Sequence, residues 1–250
     1  MKVHLFNLGP TGLLRAWNQC VAGRRLCLAA KKPFRPLVPE SINSMTAAWN
    51  VWNIFKEGNL PVPGTIWDIG ANQSQMTRLI LMLNEEAEVV SFEPNAALKP
   101  LGKRMVMGIS DEDGTAEFTV PGNDPLWGTL QATGTTSENG KKGQSVPVRR
   151  IDSLIASGEL SWEAAKGPLF LKVDVEGDEM KVLRGMGSHL RDVAYLLIEL
   201  DNGENRLKRY EALDLYAVAR EAGFTHSRVV YACYDGPDAP SYCDVFFWKS

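Results

Sequence analysis

From Pro63 onward, short apolar segments alternate with segments of helical periodicity, and this alternation restricts the fold more than any other feature. Strands that are apolar throughout are buried on both sides, which is typical of a parallel sheet covered by helices on both faces. The sequence therefore predicts an α/β domain over residues 63–250. The predicted elements are, in chain order, strand TIWDIG, helix QSQMTRLILMLNEE, strands EVVSFEP and RMVMGIS, added antiparallel strands AEFTV and SVPVRRID, strand PLFLKVDVEG, helix MKVLRGMGSHL, strand VAYLLIEL, a helix over 204–221, and strands SRVVYA and DVFFWK.

Residues 1–62 form a predicted basic N-terminal helical arm and linker. The first 39 residues contain seven Lys or Arg and no Asp or Glu, with apolar residues at helical spacing. Two interpretations stay open. The arm is either a basic amphipathic helix that makes weak contact with an anionic membrane surface or an acidic substrate, or a helix packed on the domain with its charges in solvent. A second helix, SINSMTAAWNVWNIFKEG, begins with a Ser41 cap and ends at Gly58.

Composition excludes several classes of protein. The 250 residues carry a net charge of −3, whereas general nucleic-acid binders show a strong positive excess. No apolar run reaches the length of a membrane helix, and the chain start does not resemble a signal peptide. The four cysteines form no CxxC pair, so we expect reduced thiols in a cytoplasmic protein rather than disulfides or a zinc site.

Polar residues follow the first two predicted strands directly. Ligands of an open parallel sheet bind beyond the carboxyl ends of its strands. The first strand ends in Asp68-Ile69-Gly70-Ala71-Asn72, where a glycine permits close backbone approach and a carboxylate is available to hold a polar group. The second ends in Glu93-Pro94, where an acid is placed to accept the hydroxyls of a ribose. The two strand ends together predict a ribose-bearing cofactor.

The glycine pattern favours S-adenosylmethionine over a dinucleotide. A dinucleotide requires GxGxxG after the first strand, because the pyrophosphate needs close backbone approach and a helix N-terminus. This chain has Gly70 alone, followed by Ala71 and Asn72. A cationic sulfonium suits a pocket rich in carboxylates.

Six segments in order, WDIGANQSQ, SFEPN, GISDEDG, VPVRRIDSL, LKVDVEGDEMKVLRG and LLIEL, resemble the FkbM family of S-adenosylmethionine-dependent methyltransferases. The resemblance runs from about Pro63 to Leu200 and implies a class I methyltransferase fold, Rossmann-like, with a seven-stranded sheet whose last strand is antiparallel. It also implies O-methylation, often of a sugar or polyketide hydroxyl. By motif position, the resemblance implies that Asp68, Gly70 and Asn72 bind the methionine end of the cofactor. It implies that Glu93 binds the ribose, and that Ser110 and Asp111 flank the adenine.

The chain departs from the family pattern in two places. Only NAALKPLGK separates the second and third strands, where the family usually has a full helix, and this puts the adenine role of Ser110 and Asp111 in doubt. Asp178 stands where a small residue is common.

Asp174 and Glu176 are the predicted catalytic pair. On a regular strand they project toward the same face, and close buried acids raise one another's pKa. We expect Asp174 near the transferred methyl group and the acceptor hydroxyl, and Glu176 as the general base, with a metal ligand or a helix cap as the alternatives for Glu176. No metal is expected; if one binds, its ligands are Asp174, Glu176 and Glu199.

Two loops are candidates for binding the acceptor, with plain surface connection as the alternative for both. The sixth parallel strand should finish at the active edge of the sheet, which places the loop over 233–243 there. The glycine-rich stretch around residue 129 is a candidate lid. Their candidate residues are Tyr234, Asp235 and Tyr242 in the first, and Trp127, Thr129 and Leu130 in the second.

The predicted function is S-adenosylmethionine-dependent O-methylation of a sugar, glycoside or polyketide-type metabolite. Two alternatives stay open: a nucleotide-linked oxidoreductase or epimerase on a similar sheet, and a catalytically silent methyltransferase-like subunit. The absence of GxGxxG and of a Tyr-x-x-x-Lys pair argues against the first alternative. The presence of the strand-end acids argues against the second.

Overall fold

The computed structural model of the chain describes residues 41–119, 128–131, 143–162, 167–201, 212–233 and 242–249, without the side chains of 41–43, 129, 131 and 201. Its elements alternate between strands and helices in the second half of the chain as the sequence predicts. They are α1 (Ser41–Glu57), β1 (Thr65–Ile69), α2 (Gln75–Ile80), β2 (Glu88–Phe92), β3 (Lys103–Met105), β4 (Gly108–Ile109), β5 (Gly114–Thr119), β6 (Thr129–Gln131), β7 (Gln144–Arg149), α3 (Ile151–Ala156), β8 (Leu169–Val173), α4 (Glu179–Gly185), a 3₁₀ helix (Gly187–Asp192), β9 (Tyr195–Asp201), α5 (Ala212–Glu221), β10 (His226–Cys233) and β11 (Tyr242–Trp248).

Seven strands form the main sheet, in the order β10-β11-β9-β8-β1-β2-β3. The pairs from β3 across to β9 are parallel, whereas β11 runs antiparallel to both β9 and β10. This is the strand order of the class I methyltransferase fold, so the predicted seven-stranded sheet with an antiparallel last strand is confirmed.

Apolar side chains on both faces hold the main sheet between two layers. Every residue of β1 and of β8 is buried, as expected for central strands covered on both sides. On one face Trp67 and Leu171 belong to a core with α3 and α4. On the other, Ile66 and Phe170 pack with Val51 and other apolar residues of α1.

A second, four-stranded sheet in the order β4-β7-β5-β6, here called the accessory sheet, adjoins the edge strand β3. Its strands β5, β6 and β7 are antiparallel neighbours, which confirms the added antiparallel strands over AEFTV and SVPVRRID. Only two residues separate the end of β3 from the start of β4. The accessory sheet is therefore tied closely to the edge of the main sheet.

Several predicted boundaries are wrong. The single strand predicted over RMVMGIS is two: Lys103–Met105 pairs with β2, and Gly108–Ile109 pairs with β7 of the accessory sheet. The helix predicted over QSQMTRLILMLNEE spans only Gln75–Ile80, and MKVLRGMGSHL changes from α-helix to 3₁₀ helix near Gly187, whose φ is +57°. For the strand and for the second helix, local periodicity continued where strand pairing or the left-handed Gly187 ended the element.

The division into an arm of residues 1–62 and a domain of 63–250 stays a prediction, and residues 1–40 lie outside the described residues. The helix predicted over 41–58 is present as α1, packed on the main sheet. In the described ranges, no helix has the length and apolar character needed to cross a bilayer.

Replacing Gly185 by alanine should lower the free energy of unfolding by about 1–3 kcal/mol, because the added Cβ would overlap the carbonyl oxygen of Ser110. Helix propensity alone predicts the opposite sign, a gain of about 1 kcal/mol. Urea unfolding decides between them. Gly114→Ala is the matched control, since its Cβ would meet nothing within 4 Å, and it should be near neutral. A stabilised Gly185→Ala protein would show that α4 does not rest on the backbone of residue 110.

Candidate active site

A cleft opens at the carboxyl ends of β1, β2 and β8, where the sequence predicts ligand binding. It encloses about 620 Å³, counting space open to solvent. Strand ends, the segment after β3 and the accessory sheet all contribute to it. Its lining residues are Ile69, Gly70, Asn72, Phe92, Glu93, Pro94, Leu98, Met107, Gly108, Ile109, Phe118, Gly128, Leu130, Asp174, Val175 and Glu176.

A buried lysine, Lys172 on β8, contacts two residues that line this cleft, Gly70 and Asp174, and forms an ion pair with Asp68. Its Nζ is 3.2 Å from Oδ1 of Asp68 and 3.3 Å from Oδ2 of Asp174, and it donates a 2.6 Å hydrogen bond to the carbonyl of Gly70. Oδ2 of Asp68 accepts a 2.7 Å hydrogen bond from the Thr77 hydroxyl. The ammonium group of Lys172 thus ties the end of β1 to the end of β8.

The electrostatics of this cluster favour a cationic ligand. Burial alone lowers the pKa of a lysine, but the Asp174 and Asp68 carboxylates outweigh it and hold the pKa of Lys172 above its ordinary value. Glu93 is close enough to interact with both Lys172 and Asp68. Three carboxyl groups therefore face one ammonium, and a bound positive charge would compensate the excess.

Glu93 is held rigidly at the end of β2. One carboxylate oxygen accepts from the backbone N–H of Asn72 and the other from that of Asn95, both at 2.8 Å. Burial raises the pKa of Glu93, against these two amides and Lys172, which lower it. Each carboxylate oxygen has a second lone pair, so the side chain is able to accept two further hydrogen bonds from a ligand.

The turn after β1 brings main-chain atoms to the cleft. Gly70 has a φ of +73°, and a Cβ there would overlap the carbonyl oxygen of Asp174, so a side chain is excluded at this position. The amides of Gly70 and Ala71 both donate to the carbonyl of Phe92, which ties the turn to the end of β2. Asn72, with a φ of +49°, lines the cleft, as does Pro94.

Asp174 and Glu176 both line the cleft, but the regular strand predicted to carry them is wrong. Strand β8 ends at Val173, and Glu176 adopts a left-handed conformation with a φ of +59°. Glu179 accepts hydrogen bonds from the amides of Val175 and Gly177, so Glu179 rather than Glu176 caps this loop. The Asp174 side chain keeps 37% of its surface exposed, which leaves it accessible from the cleft.

Several further polar side chains lie beside Asp174 on the main sheet, on strands β9, β10 and β11. Asp244 on β11 lies opposite Glu199 on β9 and opposite Tyr231 on β10. Burial raises the pKa of Asp244 to about 7; the Asp174 carboxylate adds to this and Lys172 acts against it. The ring of Tyr242 is 5.9 Å from that of Tyr231. Glu199 lies inside β9, which continues to Asp201.

The remaining candidates are placed as follows. Ser110 is buried and Asp111 lies 4.0 Å from Arg184, and neither lines the cleft, whose lining on this side is Gly108 and Ile109. The third strand ends at Met105 rather than at these residues. Trp127, Tyr234, Asp235 and the side chain of Thr129 lie outside the described residues.

Sequence reasoning missed Lys172 and Asp244. The available signal was a charged residue in an apolar strand: Lys172 within LFLKV, and Asp244 directly before VFFW. A buried charge requires a partner, and Lys172 is buried. Among the residues that the structure describes, no group of three or more His, Cys, Asp or Glu side chains is placed to hold a metal ion.

Comparison with known proteins gives one family and one curated relative. The family model described as the methyltransferase FkbM domain matches residues 68–225. Hexuronic acid methyltransferase AglP of Haloferax volcanii is 28% identical over 149 residues, which cover 55% of this chain and 56% of the relative. The match thus spans about half of the relative's length.

Solved structures resemble the chain only loosely. A precorrin-6y C5,15-methyltransferase from Geobacter metallireducens has a TM-score of 0.38 and 9% identity, covering 87% of this chain and 93% of its own. A Thermoplasma acidophilum protein has a TM-score of 0.40 and 10% identity, covering 92% and 97%. The fold assignment rests on the strand order described above.

Replacing Lys172 by methionine should lower the free energy of unfolding by about 3–5 kcal/mol, because it leaves the Asp68 carboxylate buried without its cation. Asp68→Asn combined with Lys172→Met removes that charge and should recover at least half of the loss. Urea unfolding of both proteins measures this. A double variant no more stable than the single one would contradict the role given to the ion pair.

Asp244 should make the protein less stable as pH rises. An acid with a folded pKa of about 7 keeps its proton in the folded state while the unfolded chain releases it near its ordinary value of 3.8, so the free energy of unfolding falls between these two pH values. Asp244→Asn cannot titrate and serves as the reference. The difference in unfolding free energy between the two proteins, measured from pH 4 to pH 8, should grow up to about pH 7; parallel curves would contradict the raised pKa.

Proposed function

Because the chain belongs to the FkbM methyltransferase family, we propose that it transfers a methyl group from S-adenosylmethionine to a hydroxyl oxygen of a sugar or a similar polyhydroxylated metabolite. The observation that carries the proposal is the Lys172 cluster, which draws the ends of β1 and β8 together around a carboxylate-rich cleft. A carrier of net positive charge fits that cleft, and S-adenosylmethionine has a sulfonium, an ammonium and one carboxylate.

The turn after β1 would hold the amino-acid end of the cofactor. Asp68 would act there through Lys172, and Gly70, which lines the cleft, would contact the ligand with its backbone, next to Ala71. Asn72 would contact the same end from the cleft wall. Glu93 would accept the ribose hydroxyls through its remaining lone pairs, with Pro94 against the same face of the cofactor.

Asp174 and Glu176 would act on the acceptor. When bound, S-adenosylmethionine would supply an electrophilic methyl group, its S–CH3 bond breaking to leave S-adenosylhomocysteine. The acceptor hydroxyl must lose its proton as the new C–O bond forms. Asp174, anchored by Lys172 through one oxygen, orients the hydroxyl. Glu176, which lines the same cleft, takes the proton as general base.

Two observations support a sugar as the acceptor: the name of a relative and the polar side chains beside Asp174. AglP is named as a hexuronic acid methyltransferase, which supports a sugar acceptor for this chain. Glu199, Asp244 and Tyr242 extend from Asp174 across β9 and β11, and such side chains suit the hydrogen-bonding groups of a sugar. A cytoplasmic location and the use of the 1–62 arm as a partner surface stay predictions.

Glu93 and Glu176 should separate binding from turnover. In calorimetric titration with S-adenosylhomocysteine, the wild-type protein should bind at micromolar concentration, and Glu93→Ala should weaken binding about tenfold or more through loss of two hydrogen-bond acceptors. Glu176→Gln should bind within about twofold of wild type, yet lose on the order of 100-fold in kcat.

Turnover is measured as the mass gain of one methyl group in a screen of sugar nucleotides and glycosides. Glu112→Gln, an exposed glutamate after β4, is the matched control and should change neither quantity. Equal losses of binding in Glu93→Ala and Glu176→Gln would contradict the division of roles. Absence of any S-adenosylhomocysteine binding by the wild type would contradict the proposed function.

A further inference from the structure

The segment that joins β2 to β3, residues 93–102, has no regular secondary structure, yet it forms part of the cleft wall. None of these ten residues belongs to a helix or a strand. Three of them, Glu93, Pro94 and Leu98, line the cleft. Because the β2–β3 segment lacks the hydrogen-bond ladder of a helix, its conformation depends on individual contacts.

Arg104 on β3 supplies two of these contacts. Its Nη2 atom donates to the main-chain carbonyl of Asn95 at 3.2 Å and to that of Ala96 at 2.7 Å. Arg104 is half-buried and lies opposite Ser91 in the parallel register of β2 with β3. The guanidinium group therefore holds two consecutive carbonyls of the β2–β3 segment from a strand of the main sheet.

The residue that Arg104 holds is also the one that orients Glu93. The Asn95 N–H donates to Oε1 of Glu93 at 2.8 Å. Burial raises the pKa of Glu93, and the Asn95 amide acts against this. The Asn95 side chain accepts from the amide of Ala97, and its carbonyl accepts from that of Leu98, which closes the turn. Arg104 and Glu93 thus contact the same residue, one at its carbonyl and the other at its N–H.

We propose that Arg104 is a positioning residue of the donor site, which fixes the turn after β2 so that the carboxylate of Glu93 is held ready for the donor. Glu93 has two amide partners, Asn72 after β1 and Asn95, and Arg104 controls the second. Without the guanidinium group, the turn would have to be ordered when the ligand binds, and that cost would oppose binding. This inference rests on the proposed function, because it assigns Glu93 to the donor.

Calorimetric titration with S-adenosylhomocysteine tests the proposal in four proteins: the wild type, Arg104→Met, Glu93→Ala and the double variant. Arg104→Met keeps an apolar stem but has no donor, and it should weaken binding about tenfold when Glu93 is present. In the Glu93→Ala background the same replacement should cause no further loss, because the residue through which Arg104 acts is gone. A role in general stability alone would not produce this dependence on Glu93.

Lys103→Met is the matched control. It removes a cation from the same strand, but the Nζ of Lys103 donates to the carbonyl of Glu159 rather than to the β2–β3 segment, so binding should stay at the wild-type value. Urea unfolding verifies that each variant is folded during titration. If Arg104→Met does not fold, Arg104→Lys takes its place: it keeps the charge but has a single donor nitrogen, and should lose about threefold in affinity only when Glu93 is present.

Two results would overturn the proposal while leaving the proposed function intact. One is unchanged affinity in the Arg104 variant, and the other is an equal loss in the presence and absence of Glu93. Failure of the wild-type protein to bind S-adenosylhomocysteine would overturn the proposed function, and this inference with it.

Discussion

The site depends on one buried ammonium group. Lys172 forms ion pairs with the Asp68 and Asp174 carboxylates and donates a hydrogen bond to the main-chain carbonyl of Gly70. Few arrangements let a buried lysine keep its charge, because burial alone favours the neutral amine. The carboxylates that prevent this are the same groups that would meet a cationic donor. The same contacts of Lys172 therefore stabilise the ends of β1 and β8 and give the cleft its charge.

The two sheets contribute different kinds of side chain to the cleft. The main sheet provides charged and hydrogen-bonding groups at the ends of β1, β2 and β8, whereas the accessory sheet provides Phe118 and Leu130. The chain reaches the second sheet by leaving β3 after only three paired residues. A short edge strand is therefore part of the site's construction, since a longer β3 would keep Gly108 away from β7.

The strand-end residues were predictable, because a buried strand followed by polar residues is a local pattern. Gly70 and Glu93 stand out in this way, and both line the cleft. The partners of Lys172 were not predictable, since Asp68 and Asp174 meet it only through the parallel register of β1 with β8 and the loop beyond. The break between β3 and β4 depends on pairing with β7, about forty residues later, which no local periodicity contains.

At Glu176, the residue that would be best for stability differs from the residue that the proposed chemistry needs. A non-glycine residue at a φ of +59° costs free energy that a glycine would not, on the order of 1 kcal/mol. Selection for thermal tolerance alone would accordingly drive this codon toward glycine. A laboratory evolution campaign that scores only resistance to heat should enrich that replacement, and the selected protein would then lack the general base that we propose.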